Sequence, residues 1–223
     1  MVIQPSVAGT GTGTSGGQIA FQSHYQLQRP GLLLLNGTVY VAFGSYDHKG
    51  PYHGWIVGYD APSLQQVIAW NATPNGNKGG IWLSGAALTA DGAGNIYAIV
   101  GNGTFDASTG GLDSGDSVVR LTPNGNTLTA SDYFTPFDQQ NLQTNDIDIG
   151  STGFTLLPDQ PGPVAHLGVC SAKSGKIYLL NRDNLSKFQA GSDSQIVQSI
   201  PTALGSGPSD YDYSTGTYWQ GIV

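Results

Sequence analysis

Short apolar and β-branched stretches recur along the chain, and each one ends at a Gly, Asn or Asp turn. Many of them alternate apolar and polar residues, as strands with one buried face do. In chain order they read "GLLLL", "TVYVAFG", "GWIVGYD", "QQVIAWN", "GAALTAD", "NIYAIVG", "SVVRLT", "TLTASDYF", "GSTGFTLLPD", "VAHLGVCSA", "KIYLLNRD" and "SQIVQSI". The pattern predicts an all-β protein of short antiparallel strands.

These stretches form three groups of four, and a further group begins at "GTYWQGIV". Groups of four short antiparallel strands, starting here near residues 32, 85, 151 and 215, are typical of β-propeller blades with long insertions. The pattern predicts a link from a preceding blade in 1–30, blades in 31–75, 80–135 and 145–202, and the start of the next blade in 210–223.

The end of the chain resembles the start of the first predicted blade. "LLLNGTVYV" and "TYWQGIV" both place Asn or Gln, Gly, one residue and Val after an apolar residue. Three blades and a fraction are fewer than the roughly 4 to 8 that close a propeller. We therefore expect a partial propeller whose partners are the remaining blades of a longer chain.

Composition supports the all-β prediction. The 223 residues include 33 Gly and 12 Pro, charged residues make up only 10%, and all 15 acidic residues are Asp. The absence of Glu and the scarcity of Lys and Arg remove the usual surface helix formers, which argues against a helical bundle. Hydrophobic residues at 39% are enough to bury a core, so the richness in Gly, Ser, Thr and Asn does not indicate disorder.

The charge balance and the short apolar runs restrict the kinds of partner that the chain can bind. A net charge of -7, with only 8 Lys and Arg and no cluster of them, provides no basic surface for nucleic acid. The apolar runs are far shorter than the roughly 20 residues of a membrane span, and no signal segment follows Met1. A small-molecule cofactor or substrate is compatible with this charge balance.

Isolated reactive residues are weak candidates for chemistry. Cys170 lies in the apolar string "AHLGVCSA", which favours a buried inert thiol over a nucleophile. His48 and His53 lie in the loop "SYDHKGPYHGW", where helical zinc spacing is not available, so hydrogen-bonding loop histidines are favoured over a zinc site.

Two acidic segments leave alternatives open. Asp106, Asp113 and Asp116 could wrap a calcium ion, but their spacing fits no calcium loop and favours a solvated acidic turn. Asp146 and Asp148, in "TNDIDIGSTGFTLLPD", are expected to enter the first strand of the third blade, where carboxylates can point into a central channel. The alternative is that one of them caps the turn through its own backbone.

The chain resembles the quinoprotein alcohol dehydrogenases, propellers of the pyrroloquinoline quinone (PQQ) repeat type. "NDIDIGSTGFTLLPD" followed by "HLGVCSAKSGKIYLLNRDN" is similar to the stretch where an Asp-x-Asp-Gly segment enters a blade and a basic residue plus Gly precedes an apolar strand. "GGIWLSGAALTADGAGNIYAIVGNGTFD" is similar to the family's Gly-Gly-x-Trp, apolar strand and Gly-Asn turn. The order of these pieces agrees across residues 31–190.

The resemblance implies a role for each matching residue. Trp82 matches the Trp under the planar quinone, and Lys173 matches the basic residue that polarises a quinone carbonyl. Asn102 matches an Asn that binds calcium, and Asp146 matches the catalytic Asp, which binds the same ion and takes the alcohol proton. The implied cofactors are PQQ and calcium.

The sequence also departs from the family's pattern. The family has a Glu metal ligand in the loop that matches "GSYDHKGPYHGW", where Asp47 is the only carboxylate and takes that place with a shorter stem. The vicinal disulfide of the alcohol dehydrogenases has no counterpart, because Cys170 is the only cysteine.

Two functions follow from this comparison. One is a binding or scaffold propeller with a degenerate quinone site, which the missing Glu favours. The other is a calcium- and PQQ-dependent oxidoreductase, a dehydrogenase of alcohols or sugars. The resemblance implies a periplasmic or extracellular location for either.

Overall fold

The computed structural model describes residues 2–46, 49–205 and 213–222. Most regular structure in them is β-strand. The strands are β1 (Ser6–Ala8), β2 (Gln18–Ala20), β3 (Gln26–Leu27), β4 (Leu33–Leu35), β5 (Thr38–Ser45), β6 (Trp55–Asp60), β7 (Gln66–Asn71), β8 (Thr89–Ala90), β9 (Ile96–Val100), β10 (Ser117–Asn124), β11 (Thr127–Thr135), β12 (Thr155–Leu156), β13 (Leu167–Ser171), β14 (Ile177–Asn181), β15 (Lys187–Phe188) and β16 (Gln198–Ile200). In these ranges the single α-helix is α1 (Gln139–Asn145), and short 3-10 helices span Leu83–Gly85 and Ala107–Thr109.

Three antiparallel sheets carry the fold, and β1 and β2 form a separate hairpin. Sheet one has the order β3-β5-β6-β7, and β4 also pairs with β5, at the start of that strand, whereas β3 pairs with its end. Sheet two has the order β8-β9-β10-β11, to which β15 adds a short parallel pairing at Phe134 and Thr135. Sheet three has the order β12-β13-β14-β16. The predicted all-β antiparallel class is confirmed.

The core extends over all three sheets. One cluster contains Ile56 of sheet one, Ile99 and Val119 of sheet two, and Tyr178 of sheet three. A smaller cluster packs the opposite face of sheet one, through Trp55 and neighbours, against the N-terminal hairpin. Strand β6 is therefore buried on both faces, which explains why its sequence "WIVGY" is continuously apolar.

Helix α1 was not predicted from the sequence. Its seven residues bury Gln139 and Leu142 and end at Asp146, which adopts the left-handed conformation with φ 55°. The backbone N–H groups of Asp146 and Ile147 both point to the carbonyl of Leu142, as at a helix C-terminus. The expectation that Asp146 enters a strand is therefore wrong, since β12 begins only at Thr155.

The prediction of a buried, unreactive Cys170 is confirmed. The residue lies within β13 and its thiol is free of a disulfide. Burial raises the pKa of Cys170 far above its ordinary value, so the thiolate that nucleophilic chemistry needs does not form near neutral pH. In the described ranges, no helix has the length and apolar character that a membrane crossing needs.

Candidate functional site

Trp82 lies on a floor of three glycines. A Cβ atom built on Gly44 would lie 2.5 Å from the indole Nε1, and one on Gly80 would lie 2.5 Å from Cη2. A Cβ atom on Gly101 would lie 2.7 Å from Cζ3. No larger residue fits at these positions without displacing the ring. Gly44 belongs to β5 of sheet one, Gly101 follows β9 of sheet two, and Gly80, whose carbonyl accepts from the Gly101 N–H at 2.9 Å, lies between β7 and β8.

Further contacts fix the orientation of the Trp82 ring. Its Nε1 donates to the carbonyl of Ser45 at 3.3 Å, and Tyr52 meets it edge-on with ring centroids 6.2 Å apart. The next two residues, Leu83 and Ser84, have positive φ angles of 48° and 46°. Such backbone strain in non-Gly residues clusters at functional sites. The Ser84 hydroxyl donates to the carbonyl of Ser151, which ties this turn to the segment before β12.

Three of the predicted site residues meet in one hydrogen-bonded group. The side-chain Nδ2 of Asn102 donates to Asp146 Oδ1 at 2.6 Å, and Lys173 Nζ donates to the same oxygen at 3.2 Å. Lys173 Nζ also donates to Asp148 Oδ2 at 2.8 Å. Asn102 follows β9, Asp146 ends α1 and Lys173 follows β13, so the group joins sheets two and three.

The two carboxylates of this group differ in environment. The Asp148 side chain is 2% exposed, and that of Asp146 is 59% exposed. Burial raises the pKa of Asp148, and the ammonium of Lys173 opposes this shift. Burial alone would lower the pKa of Lys173, but Asp148 and Asp146 raise it above its ordinary value. Lys173 is therefore a fixed cation, and Asp146 is the carboxylate that an incoming molecule can reach.

A third carboxylate lies behind the group. Asp116 is fully buried. Its backbone N–H donates to the carbonyl of Gly101 at 3.0 Å, and its Oδ2 accepts from Gln139 Nε2 at 3.2 Å. Burial, followed by the nearby Asp148, raises the pKa of Asp116 well above its ordinary value. The expectation of a solvated acidic turn is wrong for Asp116 and for Asp113, which is also buried. Strand pairing folds this turn against neighbouring segments, which its acidic sequence does not reveal.

Three of the predicted residues, Trp82, Asp146 and Lys173, border a small cleft. A cavity of about 200 Å³ is lined by Arg29, Trp82, Asp146, Asp148, Ser151, Lys173 and Tyr213. Its volume lies below the roughly 300 to 1,000 Å³ of typical ligand pockets. The sequence did not point to Arg29, Ser151 or Tyr213. Arg29 stands alone in an irregular segment after β3, and only the fold places it beside the other residues.

The prediction that the loop histidines form hydrogen bonds is confirmed for His53. Its Nδ1 lies 2.9 Å from the hydroxyl of Thr73, and its Nε2 lies 2.8 Å from the carbonyl of Thr12. Both ring nitrogens are thus engaged by hydrogen bonds. Asp47 and His48, the first of which was predicted to be a metal ligand, lie outside the described residues.

The residues present fit a cation next to a planar ring. Asn102 Oδ1 is buried and has no hydrogen-bond donor, although it belongs to the same amide that contacts Asp146. An amide oxygen and a carboxylate are the hard ligands that calcium prefers. In the described part of the chain, no three His, Cys or acidic side chains form a metal-binding group. The glycine-backed indole offers a flat surface for an aromatic ring.

Comparison with known proteins shows the fold. No known family matches the sequence, and no curated protein does either. Two solved structures share the fold with a TM-score of 0.55 and 15% identity, namely the quinohemoprotein alcohol dehydrogenases ADHIIG from Pseudomonas putida HK5 and that of Comamonas testosteroni. They cover 77% and 78% of this chain, which matches only 27% and 28% of theirs.

These structures define the class to which the fold is similar. The chain folds like part of a quinohemoprotein alcohol dehydrogenase, and it spans little more than a quarter of the length of the two. At 15% identity the similarity concerns the fold alone.

Proposed function

We propose that the three sheets are blades of a β-propeller and that the cleft beside Trp82 binds PQQ and a divalent cation in an oxidoreductase of alcohols or sugars. The observation that carries this proposal is that Asp146 and Lys173, which line the same cleft as Trp82, form one hydrogen-bonded group with the buried Asn102. These residues come from sequence positions up to 91 apart, since 173 minus 82 is 91. The same proposal puts the protein in the periplasm or outside the cell.

Each residue has a task in this proposal. Bound PQQ would supply the acceptor for a hydride from the substrate. Trp82 would hold the planar ring by stacking, and Arg29 would offset the negative charge of the cofactor's carboxylates. The Lys173 ammonium would stabilise negative charge on a ring oxygen. These tasks match the flat surface and the two cations of the cleft.

Asp146 is suited to accept the proton of a substrate hydroxyl. Its Oδ1 is held by Asn102 and Lys173, so the orientation of the carboxylate is fixed. Its side chain is nevertheless 59% exposed, so that a substrate reaches the other oxygen, Oδ2. Asn102 Oδ1 and Asp146 are the ligands that this part of the chain offers to the cation.

A calorimetric titration of PQQ into the full-length protein tests this function. We expect PQQ to bind only with calcium present, because the ion offsets the repulsion between the cofactor's carboxylates and Asp146. Trp82→Leu should weaken binding by about tenfold because a stacking surface is lost. Trp70→Leu is the matched control, since Trp70 lies outside this cleft. Absence of PQQ binding with calcium present would refute the proposal.

A second candidate is a non-catalytic propeller with a degenerate quinone site. It is favoured by the ion pairs that Lys173 already makes with both Asp146 and Asp148, and by the small volume of the cleft. Under this candidate, the wild type binds PQQ weakly whether or not calcium is present, and it shows no dye-linked oxidation. Asp47→Glu, which restores the family's ligand type, would then produce calcium-dependent binding.

A further inference from the structure

Helix α1 is too short and too polar to hold its position without specific contacts. Its seven residues include one large apolar side chain, Leu142, and an isolated helix of this length is not stable in water. Asp146 nevertheless follows directly at its C-terminal end. The location of the Asp146 carboxylate therefore depends on what holds α1 against the sheets.

The buried amide of Gln139, at the start of α1, makes such a contact. Gln139 is 8% exposed, and its Nε2 donates to Asp116 Oδ2 and to Gln143 Oε1, both at 3.2 Å. The same nitrogen lies 3.5 Å from the carbonyl oxygen of Gly103. A shift of α1 would take this donor away from a buried carboxyl group, which costs free energy.

The two acceptors outside the helix belong to the connection between β9 and β10, residues 101–116. Gly103 lies near the start of this connection, and Asp116 is its last residue. Backbone hydrogen bonds close its base, from Asp116 to Gly101 at 3.0 Å and from Gly115 to Thr104 at 2.8 Å. A Cβ atom on Gly115 would lie only 2.0 Å from the carbonyl oxygen of Gly103. Gln139 therefore attaches α1 to a closely packed part of sheet two.

The same connection carries Asn102, which contacts the other end of α1. Its Nδ2 donates to Asp146 Oδ1 at 2.6 Å. The helix thus meets the β9–β10 connection twice, through Gln139 at its first residue and through Asp146 just after its last. Two contacts with one segment fix both the place and the direction of a helix, whereas a single contact leaves it free to pivot.

We propose that Gln139 is a positioning residue that holds the carboxylate of Asp146 against Asn102. This inference rests on the proposed function, in which Asp146 accepts the proton of the substrate. Gln139 is not among the residues that line the cleft at Trp82, so it acts through the location of α1. A misplacement of about 1 Å in a reacting group can cost about 100-fold in rate.

The side-chain NH2 signals of Asn102, in the 15N-labelled full-length protein without cofactor, test the proposal. A proton donated to a carboxylate resonates downfield of a free amide proton, and Asn102→Asp identifies the signals by removing them. Gln139→Leu removes the donor and keeps a side chain of similar size, so it should move the signals toward those of a free amide. Gln140→Leu, at the exposed neighbouring position, is the matched control and should leave them in place. Unchanged signals in Gln139→Leu would overturn the proposal.

A second variant separates positioning from stability. Gln139→Leu takes a donor from the buried carboxyl group of Asp116 and should therefore lower the melting temperature. The double variant Asp116→Leu/Gln139→Leu replaces both partners by apolar groups, which should restore much of that loss. We expect the Asn102 signals to stay displaced in the double variant. Their return together with the melting temperature would show a structural role and overturn the proposal, as would failure of both variants to fold.

Dye-linked oxidation by the cofactor-loaded protein gives an independent measurement. Gln139→Leu should lower kcat by about 10- to 100-fold and change KM by less than about twofold, because it alters the geometry of Asp146 and not substrate binding. Gln140→Leu should keep both constants. An unchanged kcat in Gln139→Leu would overturn the assignment. A wild type that does not bind PQQ refutes the proposed function, whereas the Asn102 signals, measured without cofactor, decide whether Gln139 holds Asp146 in place.

Discussion

Asn102 donates its side-chain amide to the carboxylate of Asp146 at 2.6 Å, across 44 positions of sequence. The contact joins the end of a strand in sheet two to the end of α1. It leaves Asn102 Oδ1 buried without a donor and holds an exposed carboxylate in one orientation.

Gly80→Ala should displace Trp82 and destabilise the fold. The new Cβ would lie 2.5 Å from the indole Cη2, so we expect a loss of about 1–3 kcal/mol in the free energy of unfolding, measured by denaturant titration. Gly92→Ala is the control, because its Cβ would meet no atom within 4 Å. If both variants unfold at the wild-type denaturant concentration, the ring does not rest on Gly80.

Lys173→Met should be strongly destabilising. The substitution leaves Asp148, which is 1% exposed, without its cation, at a cost of about 3 kcal/mol. Lys78→Met removes an exposed lysine instead and should stay within about 0.5 kcal/mol of the wild type. The stability of both variants is measured by thermal and denaturant unfolding. Equal stability of the two would mean that Lys173 and Asp148 do not interact as described.

Asp146→Asn should abolish catalysis and leave stability nearly unchanged. If Asp146 accepts the substrate proton, dye-linked oxidation should fall by at least about 100-fold. The exposed carboxylate contributes less than about 1 kcal/mol to folding. Asp183→Asn, which removes an exposed partner of His166, should keep full activity. Full activity in Asp146→Asn would disprove its role.

Asp116→Asn should become more stable relative to the wild type as the pH rises. Because the pKa of Asp116 is raised in the folded state, its stabilising contribution is complete below the ordinary value of 3.8. That contribution is lost as the pH rises through the folded-state pKa, and Asn does not titrate. The difference in free energy of unfolding between variant and wild type should therefore grow as the pH rises above about 4.

Asp60→Asn is a control whose stability relative to the wild type should change with pH in the opposite direction. Hydrogen bonds from the side chain and backbone of Ser63 lower the pKa of Asp60, so its contribution is present above 3.8 and is lost as the pH falls through the folded-state value. Relative to the wild type, this variant should lose stability as the pH rises. The same trend in both variants would contradict the environments described for Asp60 and Asp116.

The sequence predicted strands better than it predicted the surroundings of individual side chains. Apolar and β-branched runs that end at turn residues identify β5, β6 and β9, because these strands are largely buried. Helix α1 was missed because its polar run "QQNLQTN" contains one large apolar residue, Leu142, and shows no helical period. Tertiary packing, rather than local pattern, decides such a segment.

The candidate site could be predicted only in part. A resemblance in motifs named Trp82, Asn102, Asp146 and Lys173, and the structure brings the last three together beside a cleft that Trp82 lines. The burial of Asp116 was not predicted, because it depends on which segments pair. The glycine floor was also invisible, since Gly44 lies 36 positions before Gly80 and only strand register brings them to one ring.

Because Trp82 rests on the glycine floor, ligand binding at Trp82 depends on the packing of sheet one against sheet two. Gly44 belongs to sheet one, Gly101 follows β9 of sheet two, and Gly80 lies in the connection between the two sheets. The glycine floor under Trp82 therefore exists only when the two sheets are assembled. A molecule that stacks on Trp82 binds the assembled pair and not the separated sheets. By mass action, such a ligand raises the unfolding temperature of both sheets together. The fluorescence emission of Trp82 should change when the two sheets separate.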